Sequence, residues 1–212
     1  MANYYISDLH IGHEKIIRMD GRPFYDGKEM FETIRNNWNG RITAADTVYI
    51  LGDMLWVKER EWPSYISTLS GKKVLIRGNH DPRDFSAATK NLFLAIKDYD
   101  EIKDCGRRVV LCHYPIPFFH YGTEKGNYML YGHVHNTAEY RYLEEMRKKI
   151  RENHQDYGTP NGNFINVGCM MPWMNYTPRT LNELIDADDR LNPIESGENG
   201  IEEWERFYES EC

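Results

Sequence analysis

Five short apolar runs in this chain each break off into the same small set of residue types. Residues 3–7 (NYYIS) lead to Asp8-Leu9-His10, 47–51 (TVYIL) to Gly52-Asp53, and 72–76 (KKVLI), after Arg77, to Gly78-Asn79-His80-Asp81. Residues 107–112 (RRVVLC) run into His113, and 127–131 (NYMLY) into Gly132-His133-Val134-His135. Their length and β-branched content predict strands. Between them lie stretches with helical spacing: Met30, Phe31, Ile34 and Trp38 within 28–38, and Tyr140, Leu143, Met146 and Ile150 further on. Residues 57–69 also read as helical, with an interruption at Pro63. A late strand is expected at 163–168 and a short helix at 180–189. Strands separated by helices over most of the chain predict an α/β domain.

In an α/β sheet the carboxyl ends of neighbouring strands open into one crevice. Five strand ends can then deliver Asp, His, Asp, Asn, His, His and His to one place, a donor set of oxygen and imidazole nitrogen without sulfur. Asp8 and His10 are two apart, as are His133 and His135, so each pair can leave an extended backbone on one side. A glycine precedes Asp53, Asn79 and His133, where close backbone approach is needed. One carboxylate can bridge two cations. Two ions roughly 3.5–4 Å apart can clamp a phosphoryl group and activate water between them. Mixed carboxylate, amide and imidazole donors suit Mn, Fe, Zn or Ni better than Ca or Cu(I).

The chain of 212 residues suffices for one substantial domain with an appendage. No stretch approaches the roughly 18–20 apolar residues of a membrane span. The opening MANYYISDLH lacks a basic and then apolar leader, so a cytoplasmic location is expected. Cys105, Cys112, Cys169 and Cys212 form no CxxC pair, and are read as reduced thiols rather than a thiolate metal site. The net charge of −7 is concentrated at one end: residues 181–212 carry eleven acidic and two basic residues, against 33 and 26 in the whole chain. The expected division is therefore a domain over 1–180 and an acidic C-terminal extension over 181–212. The body carries no large negative charge to repel a phosphate ester.

Taken in order, D-x-H, G-D, G-N-H-[D/E], H and G-H-x-H are similar to the signature of the calcineurin-like metallophosphoesterases. The resemblance covers residues 3 to 170, and is closest to small stand-alone bacterial or phage-type members through YYISDLHIGHEKII and INVGCMMPWMNYTPRTLNELI. It implies a two-layer β-sandwich flanked by α-helices, with a dinuclear metal centre at its edge. Carried over block by block, it implies Asp8, His10, Asp53 and His135 around one divalent ion and Asp53, Asn79, His113 and His133 around the other. Manganese is the favoured metal among Mn, Fe, Zn and Ni. It implies further that His80 faces the substrate and assists the departing oxygen, with Asp81 orienting His80 by a hydrogen bond.

Other residues are expected at the rim. His13 either touches substrate or begins a helix. Arg22, Arg77 and Arg179 are candidate phosphate partners, because a guanidinium matches a phosphate fork. His120 reads as packing near the cleft, His154 as solvated, and Asn166 and Gly168 as supports of the metal-site loops. The basic run 147–151, interleaved with Glu144, Glu145 and Glu152, reads as a solvated helix face rather than a nucleic-acid patch. GDMLWVKER lacks the GDxxDRG of the family's protein phosphatases. The expected activity is therefore a phosphodiesterase on small nucleotide-like or organic diesters. The alternatives are a phosphomonoesterase on small metabolites and, last, a non-catalytic scaffold. A small phosphate ester is the expected partner; nucleic acid is less favoured, no membrane partner is expected, and nothing indicates an oligomeric state.

Overall fold

The computed structural model describes residues 1–153 and 159–191. Strands β1 (Asn3–Ile6), β2 (Thr47–Ile50), β3 (Lys72–Ile76) and β4 (Ala95–Lys97) form a wholly parallel sheet in that order. Parallel neighbours need crossovers. The chain supplies them with α1 (Glu14–Met19) and α2 (Gly27–Asn39), then α3 (Trp62–Ile66), then α4 (Ala87–Lys90). Helix α2 shows how the sequence sets one of these. Asp26 caps it by accepting the Glu29 N–H at 2.8 Å, and Met30, Ile34 and Trp38 form its buried stripe.

The second sheet runs β5 (Tyr99–Asp104), β6 (Arg107–Cys112), β7 (Tyr128–Tyr131) and β8 (Phe164–Asn166). Strands β5 and β6 form a hairpin around Cys105-Gly106, both in the left-handed region (φ 48° and 76°), while β6, β7 and β8 are parallel. Interior strands are buried on both faces, as in β7, where all four residues are buried. One hydrophobic core joins the sheets, with Tyr5, Ile50 and Leu75 from the first and Leu111, Leu130 and Phe164 from the second. The sheets are stitched where β1 ends: the Ser7 N–H donates to Val167 O at 2.8 Å, and the Cys169 N–H to Ser7 O at 2.9 Å. The architecture is the expected two-sheet α/β fold flanked by helices.

Four details depart from expectation. Strands β4 and β5 had no signal, because β5 (YDEIKD) is an edge strand that packs little beyond Ile102. Residues 57–69 contain only a 3-10 turn at Glu59–Glu61 and the five-residue α3, with Pro63 in its first turn, where a missing N–H costs nothing. Helix α5 (Ala138–Glu152) buries Tyr140 and Arg147 and leaves Met146 exposed, so the basic run is not a solvated face throughout. Helix α6 (Leu181–Leu191) inserts Leu181, Leu184 and Ile185 into the core. The body therefore reaches at least residue 191, and the rest of the expected acidic extension lies outside the described residues.

Candidate metal centre

The five parallel strand ends do meet. After β1, the Asp8 N–H donates to Gly52 O (3.0 Å) and the His10 N–H to Asp53 O (2.9 Å), so the loops after β1 and β2 continue side by side. The His133 N–H donates to both Asp8 carboxylate oxygens at 3.1 Å, which brings in the loop after β7. The Asp8/His10 and His133/His135 pairs are not extended, contrary to expectation. Asp8, His10, Asp53, His133 and His135 all have positive φ (55°, 49°, 53°, 71° and 47°). Left-handed backbone in non-glycine residues costs on the order of 1–3 kcal/mol each and persists where surrounding structure enforces it. Five of the seven expected donors are held in this way. Gly78 allows the closest approach, since a Cβ there would collide with the Asp53 carboxylate.

The side chains sort into two groups that meet at the Asp53 carboxylate, with Asp8 within reach of both. His10 Nε2 lies 3.2 Å from His135 Nε2 and 3.6 Å from Asp53 Oδ2, and His135 Nε2 lies 3.6 Å from Asp8 Oδ1. On the other side, His113 Nε2 is 3.6 Å from the same Asp53 Oδ2 and 3.0 Å from Asn79 Oδ1, which is 2.8 Å from His133 Nδ1. Donors about 2.1 Å from one ion stand about 3.0–3.4 Å apart, and the spacings here, 2.8 to 3.6 Å, lie within a few tenths of an ångström of that range. Asp8, His10 and His135 offer ligand atoms within 4.8 Å of one another, as do Asp8, Asp53 and His113. The Asp53 Oδ1 is tied back by the His80 N–H at 2.9 Å, leaving Oδ2 facing both groups. His113 gives its Nδ1–H to Leu51 O at 2.8 Å, which turns the Nε2 lone pair inward.

Burial sets the electrostatics. It pushes the His10 pKa down to about 3 and lowers that of His133, keeping both imidazoles neutral and free to bind a cation. Burial would also lower His135, but hydrogen bonds to Asp20 and Asp8 outweigh it and lift its pKa to about 9. Burial opposes ionisation of Asp8, yet hydrogen bonding and charge at His135, with the Ser7 hydroxyl at 2.5 Å, hold it below the usual carboxylate range.

Several expected roles are corrected. Asp81 does not orient His80. Its carboxylate accepts the N–H groups of Asp53 (2.9 Å), Met54 (3.1 Å) and Gly78 (2.8 Å), pinning the loops after β2 and β3 together. The His80 ring instead packs against Trp56, centroids 4.6 Å apart, with Nε2 4.0 Å from Asp53 Oδ2 and the side chain 42% exposed. Trp56 in turn stacks on His13 at 4.2 Å with planes 12° apart, so His13 braces the rim; its Nδ1 is buried with no partner among the described residues.

Two of the three expected arginines are tied up by other partners, and the third, Arg179, has only a loose side-chain contact among the described residues. Arg22 is buried and donates to Asp20 and to the carbonyls of Asp8 and Leu9. Arg77 makes a two-pronged pair with Asp98, both contacts 2.7 Å, and Arg179 lies beside Glu183. His120 pairs with Glu101 at 3.0 Å. Asn166 does support a site loop, its Nδ2 donating to His135 O at 3.0 Å and its Oδ1 accepting the Gly168 N–H at 2.8 Å. His154 lies outside the described residues. One participant gave no sequence signal: Asp20, which accepts the His135 Nδ1–H at 2.8 and 3.0 Å. It stands in an Asp-Gly turn before a proline, and reads from sequence as a turn former and nothing else.

Residues 4–176 match the family of calcineurin-like phosphoesterases. The chain belongs to that family. Within this calcineurin-like phosphoesterase the matched segment contains every residue of both donor groups. Its relatives include uncharacterized protein MJ1445 of Methanocaldococcus jannaschii, 31% identical over 151 residues that make up 69% of this chain and 78% of that one. The gene 66 protein of Mycobacterium phage L5 is 37% identical over 86 residues, 38% of this chain and 41% of its own length. Among solved structures, the protein of unknown function AQ665 from Aquifex aeolicus superposes with a TM-score of 0.63 at 27% identity, covering 87% of this phosphoesterase and 98% of its counterpart.

Proposed function

We propose that this calcineurin-like phosphoesterase hydrolyses phosphodiesters with a small nucleotide-like or other organic group, using two divalent cations, manganese being favoured. The observation that carries the reading is the pair of donor groups meeting at Asp53 Oδ2. Asp8, His10, Asp53 and His135 would hold one cation, and Asp53, Asn79, His113 and His133 the other. Bound there, the cations supply Lewis-acid neutralisation of the phosphoryl oxygens and an acidified water as nucleophile.

The chain's own residues do the rest. Asp81 locks Asp53 and Gly78 in place through three backbone N–H groups, so the shared carboxylate needs no reorganisation. His80, exposed beside the shared oxygen and steadied by Trp56, is placed to deliver a proton from Nε2 to the departing oxygen. The preference for diesters has two supports. A dianionic monoester calls for more fixed positive charge than a diester, and Arg22 and Arg77 are engaged elsewhere. The half-exposed rings of Trp56 and Tyr114 flank the donor groups, Tyr114 lying 4.6 Å from His133, and offer faces to a planar organic substituent. The described cysteines Cys105, Cys112 and Cys169 are free thiols, which suits a reducing cytoplasmic setting; no described helix is long and apolar enough to cross a membrane.

The test is a paired assay. Chelator-stripped protein is restored with Mn²⁺ and given bis-nitrophenyl phosphate and mono-nitrophenyl phosphate in parallel. Faster diester cleavage is expected. Faster monoester cleavage would replace this reading with a phosphomonoesterase of small metabolites. No turnover of either ester with any restored metal would point to the scaffold.

A further inference from the structure

Asp20 and Arg22 form a buried unit against only one of the two donor groups. The Asp20 carboxylate accepts the His135 Nδ1–H at 2.8 and 3.0 Å and receives Arg22 Nε at 3.0 Å and Nη2 at 2.8 Å. The same guanidinium donates Nη2 to Asp8 O and Nη1 to Leu9 O, both at 2.9 Å, and Nη1 lies 3.6 Å from Met30 Sδ. The Arg22 side chain is fully enclosed and that of Asp20 is 8% exposed. One ion pair therefore fixes the ring of His135, through Asp20, and the backbone on which Asp8 and His10 stand. The other group is held mainly by other contacts: His113 by Leu51 O and His133 by Asn79, with one link to the first group through the His133 N–H on the Asp8 carboxylate.

We propose that Asp20 and Arg22 are positioning residues for one metal position alone, the one formed by Asp8, His10, Asp53 and His135, and that they make the two positions unequal in what sustains them. The inference rests on the dinuclear reading of the site. The physical reason is local. With its Nδ1–H given to Asp20, His135 turns Nε2 toward His10 and Asp8, and once a cation took the place of the Nε2 proton the negative charge behind the ring would strengthen it as a donor. Removing that carboxylate releases the ring to rotate and leaves the guanidinium pulling on the Asp8–His10 loop without its counter-charge. Asn79 and the Leu51-held ring of His113 make no contact with Asp20 or Arg22, and His133 meets the disturbed loop only through its N–H on the Asp8 carboxylate, so the larger effect falls on the first position.

The experiment counts manganese bound to the full-length protein and follows the Mn²⁺ electron paramagnetic resonance spectrum. The wild type is expected to take up two ions with an exchange-coupled spectrum. Asp20→Ala should retain one ion at a concentration that fills both wild-type positions, with the second weakened roughly 10–100-fold and the coupled signal replaced by that of isolated Mn²⁺. Asp20→Asn, whose amide oxygen can still accept the Nδ1–H, should fall between the two. Asp188→Asn, a lesion in a distant buried ion pair, should still bind two. Two ions of wild-type affinity in Asp20→Ala, or equal loss of both, would overturn the inference. A wild type that binds fewer than two ions would overturn the dinuclear reading itself. Should the Asp20 variants not fold, the wild type still decides: a slowly exchanging Nδ1 proton on His135 is expected by nuclear magnetic resonance, and its absence would refute the Asp20 contact.

Discussion

Two buried arginines, Arg22 and Arg147, are built alike and serve different ends. Each is almost fully enclosed, each pairs with an aspartate whose side chain is largely enclosed, and each donates to backbone carbonyl oxygen. Arg22 binds Asp20 and the carbonyls of Asp8 and Leu9. Arg147 binds Asp188 of α6, Glu144 of its own helix at 3.2 Å and Phe164 O at 3.2 Å, with Arg151 also reaching Asp188 at 2.7 Å. The difference lies in the aspartate's remaining partner. Asp20 has His135, a residue of the candidate metal centre, whereas Asp188 joins Arg147 and Arg151, both on α5. The first unit couples burial to the site; the second fastens α5 and β8 to α6. Buried charge of the same construction therefore says nothing about function until its last contact is traced.

The strongest way to sharpen the contrast is to strike the site directly. Asp53→Asn removes charge from the atom common to both donor groups. Activity should fall by about three orders of magnitude or more, and bound metal should be lost from both positions. Fold should persist, because Asp81 still holds the neighbouring N–H groups. A fully metallated Asp53→Asn protein by elemental analysis would contradict the shared-atom assignment. His80→Ala comes next: turnover should drop about 10²–10⁴-fold while two ions remain bound. Loss of metal in that variant would show that His80 is a ligand and not a proton donor.

Arg147→Met probes the other cluster. Asp188 keeps Arg151, so the cost should lie near the lower end of the range for a broken buried pair, about 3 kcal/mol. In a chain of this length that corresponds to a melting temperature lower by roughly 6–12 °C. Activity per folded molecule and metal content should match the wild type. Adding Asp188→Leu should recover part of the loss, since an apolar replacement removes the stranded charge. A metal deficit in Arg147→Met would break the comparison by showing that this cluster also reaches the site.

These contrasts also explain which parts of the molecule were legible in its sequence. The convergence of the seven candidate residues was, because each follows an apolar strand, and a parallel arrangement puts such positions at one end. The pairing of Asp8 with His10 was legible but its geometry was not: spacing by two suggests an extended backbone, whereas both residues are left-handed, a consequence of tertiary hydrogen bonds to Gly52 and Asp53. Asp81 is adjacent to His80 in sequence, and adjacency suggested a contact that three backbone donors pre-empt. Asp20 and Arg147 were illegible for a common reason. Their partners, His135 and Asp188, lie 115 and 41 residues away, and nothing local distinguishes a charged residue that finds a buried partner from one that faces water.

Arg77 offers the finest test, because it stands directly before the GNHD loop and is nonetheless expected to do little. Its guanidinium holds Asp98 through Nε and Nη2 and donates Nη1 to Arg83 O at 2.7 Å, bracing the loop's far side. Asp98 is 72% exposed, so solvent screens the pair and its contribution should be at most about 1 kcal/mol. Arg77→Ala should therefore shift the melting temperature by no more than about 4 °C. It should leave KM for a nitrophenyl diester within about twofold of the wild type. A tenfold rise in KM at unchanged kcat would mean that Arg77 leaves Asp98 to bind substrate, a loss of uniform binding energy of about 1.4 kcal/mol. The arginines around this centre would then divide into one that shapes the metal site from behind, Arg22, and one that meets the ligand from in front.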